Sequence, residues 1–150
     1  MEIFANLAEQ AALPTLFLLS FLAATLLPIG SEWLLALLLL QGHSPAVVVA
    51  VAGCGNFLGA STTYLIGRYG SEVLTRRLLG IDPEKMERAR TFYIRYGIWS
   101  LLLSWLPIIG DPLCLLAGVC KVDFARFSLP VLIGKFSRYG VLAMILPKSL

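Results

Sequence analysis

Charge is scarce in this chain. Only 14% of its 150 residues are Asp, Glu, Lys or Arg, where a soluble domain carries roughly 25%. None lies between Gln10 and Ser31, and none between Trp33 and Gly67. As helix those stretches run ~33 Å and ~52 Å at about 1.5 Å per residue, against a bilayer core of roughly 30 Å. The shortage excludes a soluble catalytic domain. With 58% apolar residues and a mean hydropathy of +0.82 it points to one integral membrane domain over residues 1–150. The apolar runs are continuous rather than alternating, which argues against a β-barrel and for an all-α architecture. The first residues hold Glu2 and Glu9 and no Lys or Arg, which argues against a cleaved signal peptide.

Histidine and cysteine are scarce too. His43 is expected in the turn Gln41–Ser44, and Cys54, Cys114 and Cys120, with no C-x-x-C pair, read as small buried hydrophobes. There is no Ser-His-Asp set, no H-E-x-x-H and no Walker A sequence, so neither an enzyme nor a metal or other cofactor is expected. The net charge of +3 arises from basic residues beside apolar segments. That is the positive-inside pattern rather than a nucleic-acid surface.

What is present falls into four apolar blocks, at about 10–40, 45–67, 96–120 and 127–147. The connector 68–95 holds seven basic residues, Arg68, Arg76, Arg77, Lys85, Arg88, Arg90 and Arg95, which places it on the cytoplasmic side of the membrane. Within it, Asp82-Pro83-Glu84 predicts a helix start. Met86, Ala89, Tyr93 and Tyr96 then recur at helical spacing, with Glu84 and Arg88 paired on the other face. An amphipathic helix on the membrane surface is expected.

The first block is too long for one untilted span and too short for two, and Pro28-Ile29-Gly30-Ser31-Glu32 interrupts it. Proline and glycine break a helix, and the freed backbone groups need protein or water around them rather than lipid. The third block repeats the pattern with Pro107, Gly110, Asp111 and Pro112. At an offset of 79 without gaps, Leu27-Pro28-Ile29 falls on Leu106-Pro107-Ile108 and Glu32 on Asp111. Further on, Leu65-Ile66-Gly67-Arg68 resembles Leu132-Ile133-Gly134-Lys135, across a shorter second intervening segment. Two repeats are therefore expected, 10–67 and 96–147, each a broken helical hairpin plus a transmembrane helix. Re-entrant hairpins make the copies inverted, and fully crossing ones make them parallel. The inverted arrangement is preferred, because inverted repeats with broken helices recur in transporters.

Glu32 and Asp111 are the foremost candidates for chemistry. A carboxylate near the bilayer centre costs about 2.5–3.5 kcal/mol on insertion scales, so it faces a cavity, a partner or both. Such a position suits reversible proton binding. Asp111 before Pro112 also reads as an N-cap, and Glu32 lies in the first turn of its own helix. In the second block Gly55, Gly59, Thr63 and Gly67 share one helix face that permits close helix approach. Asn56 needs a hydrogen-bond partner there. Tyr64 and Arg68, one turn apart, present donors near the cytoplasmic surface, where Arg68 either snorkels or holds a phosphate. Lys135 and Arg138 interrupt the last block, and pairing of one of them with Asp111 or Glu32 is expected.

The string Gly55-x3-Gly59-x4-Tyr64-x2-Gly67-Arg68-x-Gly70, preceded by Pro28-x3-Glu32 and followed by a second broken hairpin, resembles the DedA superfamily. This family is also called the VTT or SNARE-associated Golgi protein family. The small size and the segment Trp105–Pro112 are similar to its YqaA-like branch, and the likeness covers residues 14–140. The resemblance implies two re-entrant hairpins meeting at mid-membrane and the movement of lipid between leaflets. It also implies links to polyprenyl phosphate recycling, proton-motive force and envelope integrity, and it carries the family's embedded acid over to Glu32. Many members have R-F-x-P-x-x-R in the second hairpin. Here the arginine positions are Ser104 and Gly110, so Arg68, Lys135 or Arg138 would have to meet the phosphate.

Three functions follow as expectations. The first is a lipid flippase or scramblase whose partners are membrane lipids, polyprenyl phosphate among them. The second is a proton-coupled transporter of small cations or solutes using the same acids. The third is a non-transporting scaffold whose glycine face binds a partner helix. The small enclosed volume makes a homodimer an option.

Overall fold

A computed structural model describes residues 2–25, 30–70, 77, 83–106 and 109–146. The described residues hold helices and turns, with no strand among them. In chain order these are α1 (Glu2–Ala23), α2 (Glu32–Leu40), α3 (Pro45–Tyr69) and α4 (Pro83–Tyr96). A 3₁₀ segment (Gly97–Trp105), α5 (Gly110–Val119) and α6 (Phe124–Ile145) follow. Pro28, Pro107 and Asp82 lie outside the described residues.

Helix length sets α3 and α6 apart from α2 and α5. α3 and α6, at 25 and 22 residues, run ~37 Å and ~33 Å and are long and apolar enough to cross a bilayer. α2 and α5, at 9 and 10 residues, reach only ~14 Å and ~15 Å. The long helices keep apolar residues outward, with Val47, Leu58 and Leu65 exposed on α3 and Leu129, Ile133, Val141 and Met144 on α6. An apolar exterior on a helix whose other face is also buried suits hydrocarbon surroundings.

The core has two clusters, and α3 and α6 serve both. One gathers around α2, with Leu16, Leu35, Leu38, Val48, Ala52 and Tyr139. The other gathers around α5, with Ala60, Tyr64, Leu113, Cys114, Phe127 and Val131. Ala89 of α4 joins the second cluster, flanked by half-buried Phe92 and Tyr93. The expected amphipathic helix is thus present from Pro83, with the Glu84–Arg88 pair at 2.5 Å on its exposed side. Tyr96 departs from expectation. It is exposed, because Phe92 and Tyr93 already fill the inward stripe, and its ring stacks on Phe92 instead.

Two turns share one geometry. After α2, Gly42 N–H donates to Leu39 O and His43 N–H to Leu38 O; after α5, Lys121 N–H donates to Gly118 O and Val122 N–H to Ala117 O. This is the Schellman closure, whose C′ residue takes positive φ. Gly42 does so at +87° and Lys121 at +53°. For lysine this conformation costs about 1 kcal/mol relative to glycine.

The turns lie 79 residues apart, and so do the starts of α3 and α6, at Pro45 and Phe124. Gly134 lies the same 79 positions after Gly55, and Lys135 the same 79 after Asn56. Both glycines are close-packed. A Cβ on Gly55 would strike the Phe17 carbonyl of α1, and one on Gly134 the Leu102 carbonyl of the 3₁₀ segment at 2.7 Å. Each long helix uses that glycine against the segment that opens its own half of the chain. The cysteines also need correction: Cys114 is buried, but Cys54 and Cys120 are exposed.

Candidate functional site

The polar residues at the helix breaks converge on α6. Glu32 is the first residue of α2 and Asp111 the second of α5, so both carboxylates lie in first turns, where the helix dipole favours negative charge. Asp111 is not the N-cap that its sequence position suggests. Ile109 holds that place, one residue before Gly110 opens the helix. The carboxylate is thereby released to pair with Lys135, at 3.3 Å. The Glu32 carboxylate pairs with Arg138, which also donates to the Trp105 carbonyl at 3.0 Å. Both acids have cations, where the sequence predicted a partner for one.

Burial is unequal within these pairs. The Lys135 side chain is 3% exposed, while those of Asp111, Glu32 and Arg138 are 29%, 27% and 21% exposed. The carboxylates are thus partly exposed, while the lysine is buried behind its acid. Removing one member of such a pair leaves an uncompensated charge in a medium that solvates it poorly.

Glycines make room at both breaks. A Cβ on Gly30 would run into the Glu32 carboxylate, and one on Gly110 into the Ser104 carbonyl. Pro112 is buried in the first turn of α5. Beside the Glu32 pair, the Tyr139 hydroxyl contacts Ser31 Oγ at 2.8 Å and accepts from Asn56 Nδ2 at 2.9 Å. This gives Asn56 an acceptor for its amide nitrogen. Its Oδ1 is buried without a partner, as are Ser20 Oγ and Ser104 Oγ. Sequence reasoning missed Ser31, Tyr139, Ser20 and Ser104. Hydroxyls inside apolar blocks were the available signal, but nothing local distinguishes a network member from a serine bonded to its own helix.

Tyr64 and Arg68 form a second group, near the α5–α6 turn. The Tyr64 ring stacks on Phe127 at 4.4 Å and its hydroxyl donates to the Val122 carbonyl. Arg68 donates to the Tyr64 hydroxyl at 2.7 Å and to the same carbonyl at 3.1 Å. Arg68 is therefore tethered rather than loosely snorkelling.

The glycine face of α3 is occupied from within. Gly55 and Gly59 abut the Phe17 and Phe21 carbonyls of α1, and Thr63 Oγ1 donates to Ala24 O at 3.0 Å. Gly67 abuts the Leu115 carbonyl of α5, and Gly118 of α5 in turn abuts the Tyr64 carbonyl. The face that the scaffold expectation set aside for a partner helix is filled by the chain's own α1 and α5.

The VTT domain model matches residues 27–147, spanning both breaks and both long helices. The chain belongs to the VTT-domain (DedA) family. It is 41% identical over 138 residues to inner membrane protein YqaA of Escherichia coli strain K12, covering 91% of this chain and 92% of that one. The same identity and coverage relate it to inner membrane protein YqaA of Shigella flexneri. An uncharacterized protein of Haemophilus influenzae is 35% identical over 162 aligned positions, covering 97% and 96%. No solved structure matches the chain. A VTT-domain protein with inner-membrane relatives and two helices of spanning length is itself an inner membrane protein.

Proposed function

We propose that this protein moves phosphate-bearing lipid between leaflets, using the two ion pairs at the helix breaks as a polar path. The observation that carries the reading is that both break acids engage cations one turn apart on α6. In this reading each carboxylate occupies the site of a missing phosphate. Protonation of Glu32 or Asp111 removes its charge and frees Arg138 or Lys135 for an incoming headgroup. Arginine suits that role because its planar fork meets phosphate through two parallel hydrogen bonds. The quarter-exposed carboxylates give protons and cargo an approach, and deprotonation then returns the acid to its cation and expels the phosphate. Polyprenyl phosphate and phospholipid share the required chemistry.

The architecture belongs to the same proposal. Two inverted repeats, 10–67 and 96–147, each contribute a broken re-entrant hairpin and a spanning helix, with 68–95 on the cytoplasmic side. The half-length of α2 and α5 and the matching turns support it.

Reconstitution of the full chain into vesicles with fluorescent phospholipid tests the function. Leaflet exchange should respond to a proton gradient and be lost on Glu32→Ala with Asp111→Ala. Unaltered exchange in the double variant overturns the reading. Gradient-driven uptake of a small cation without lipid movement assigns the same acids to solute transport instead.

A further inference from the structure

A second concentration of charge lies away from the breaks, where the end of α3 meets α4 and the end of α5. A cavity of about 680 Å³ opens there. Among its described lining residues are the cations Arg68, Arg90 and Lys121, against the single acid Glu87. Met86 of α4 and Leu116 of α5 give it an apolar wall. Cations facing an apolar wall match a molecule that is anionic at one end and hydrocarbon at the other.

Arg68 and Lys121 are each set apart by a local feature. Arg68 is aimed by its bonds to Tyr64 and Val122, at 2.7 and 3.1 Å. Lys121 occupies the C′ position of a Schellman turn at φ +53°, where the equivalent turn after α2 uses Gly42. Glycine closes that turn without Cβ strain. A lysine there runs against the local backbone preference, and Lys121 is among the residues that line the cavity.

We propose that this cavity binds the phosphate headgroup of an anionic membrane lipid, with Arg68, Arg90 and Lys121 around the phosphate and Met86 and Leu116 along an acyl chain. The site is separate from the break pairs, whose cations are engaged by carboxylates. It goes beyond the leaflet-exchange reading and stands whether or not lipid is moved.

The full chain in a neutral detergent is titrated with phosphatidylglycerol, phosphatidylcholine or glycerol phosphate, reading Tm and, by native mass spectrometry, retained lipid. Phosphatidylglycerol should raise Tm and be retained. Phosphatidylcholine, whose headgroup carries its own cation, should do so weakly. Glycerol phosphate should act only at far higher concentration. Arg90→Gln and Lys121→Gly should each weaken phosphatidylglycerol binding about tenfold, the loss of one charge-assisted contact. Lys121→Gly should also raise Tm without lipid, so its weaker binding is not a loss of fold. Equal responses to the two lipids, or full affinity in both variants, overturn the proposal. A response to glycerol phosphate as strong as that to phosphatidylglycerol overturns the lipid assignment in favour of a soluble phosphate ester.

Discussion

Lys135 and Arg138 stand three residues apart on α6 and hold carboxylates from opposite halves of the chain, Asp111 24 residues before Lys135 and Glu32 106 residues before Arg138. One helix thus carries the counterions of both breaks. A displacement of α6 would alter both pairs together, and loss of either acid would release a cation on the same surface.

The two pairs should differ in how much they stabilise the fold. Lys135→Met strands Asp111 and should destabilise by about 3 kcal/mol, with Lys135→Met plus Asp111→Asn recovering much of it. Arg138→Gln, whose cation is itself less buried than Lys135, should cost less than Lys135→Met. Thermal unfolding of the purified variants in detergent gives the order, and a larger loss at Arg138 would contradict the burial argument.

Tyr139→Phe should cost about 1–3 kcal/mol, because one hydroxyl satisfies both Ser31 and Asn56 and its removal leaves two more buried groups without partners. A double-mutant cycle with Asn56→Leu measures the coupling, which should be at least ~0.5 kcal/mol for residues in contact.

Glycine substitutions should split by register. Gly55→Ala and Gly59→Ala drive a Cβ into α1 backbone and should unfold or strongly destabilise the protein. Gly140→Ala meets nothing within 4 Å on the same type of helix and should stabilise by about 0.5–1 kcal/mol. Comparing the three Tm values checks the packing directly.

Tyr64→Phe should lower stability by about 1 kcal/mol and free Arg68 from one of its anchors, since the hydroxyl bridges Arg68 and the Val122 carbonyl. The accompanying loss of phosphatidylglycerol retention should be smaller than that of Arg90→Gln, because the Arg68 charge remains.

Several of these features are legible in the amino-acid sequence. Pro28, Gly30, Gly110 and Pro112 mark interruptions, and the start of α4 at Pro83 is readable from its flanking acids, because breaks and caps depend on residues within a turn of one another. The N-cap of α5 is not legible in this way, since either Ile109 or Asp111 could open the helix until Lys135 claims the carboxylate. The exposure of Cys54 and Cys120 is hidden too, because apolar neighbours say that a residue lies in the membrane, not whether it faces protein or lipid.

Hydropathy, helix-breaking residues and the glycine-tyrosine-arginine string were enough by themselves to establish a helical VTT-domain membrane protein with an acid at each break. Only the packing of the helices decided which cation meets which acid, and that Lys121 shares a cavity with Arg68 and Arg90. Helix formation is governed by groups a few positions apart, whereas these contacts depend on the crossing of segments distant in the chain, to which no local pattern is sensitive.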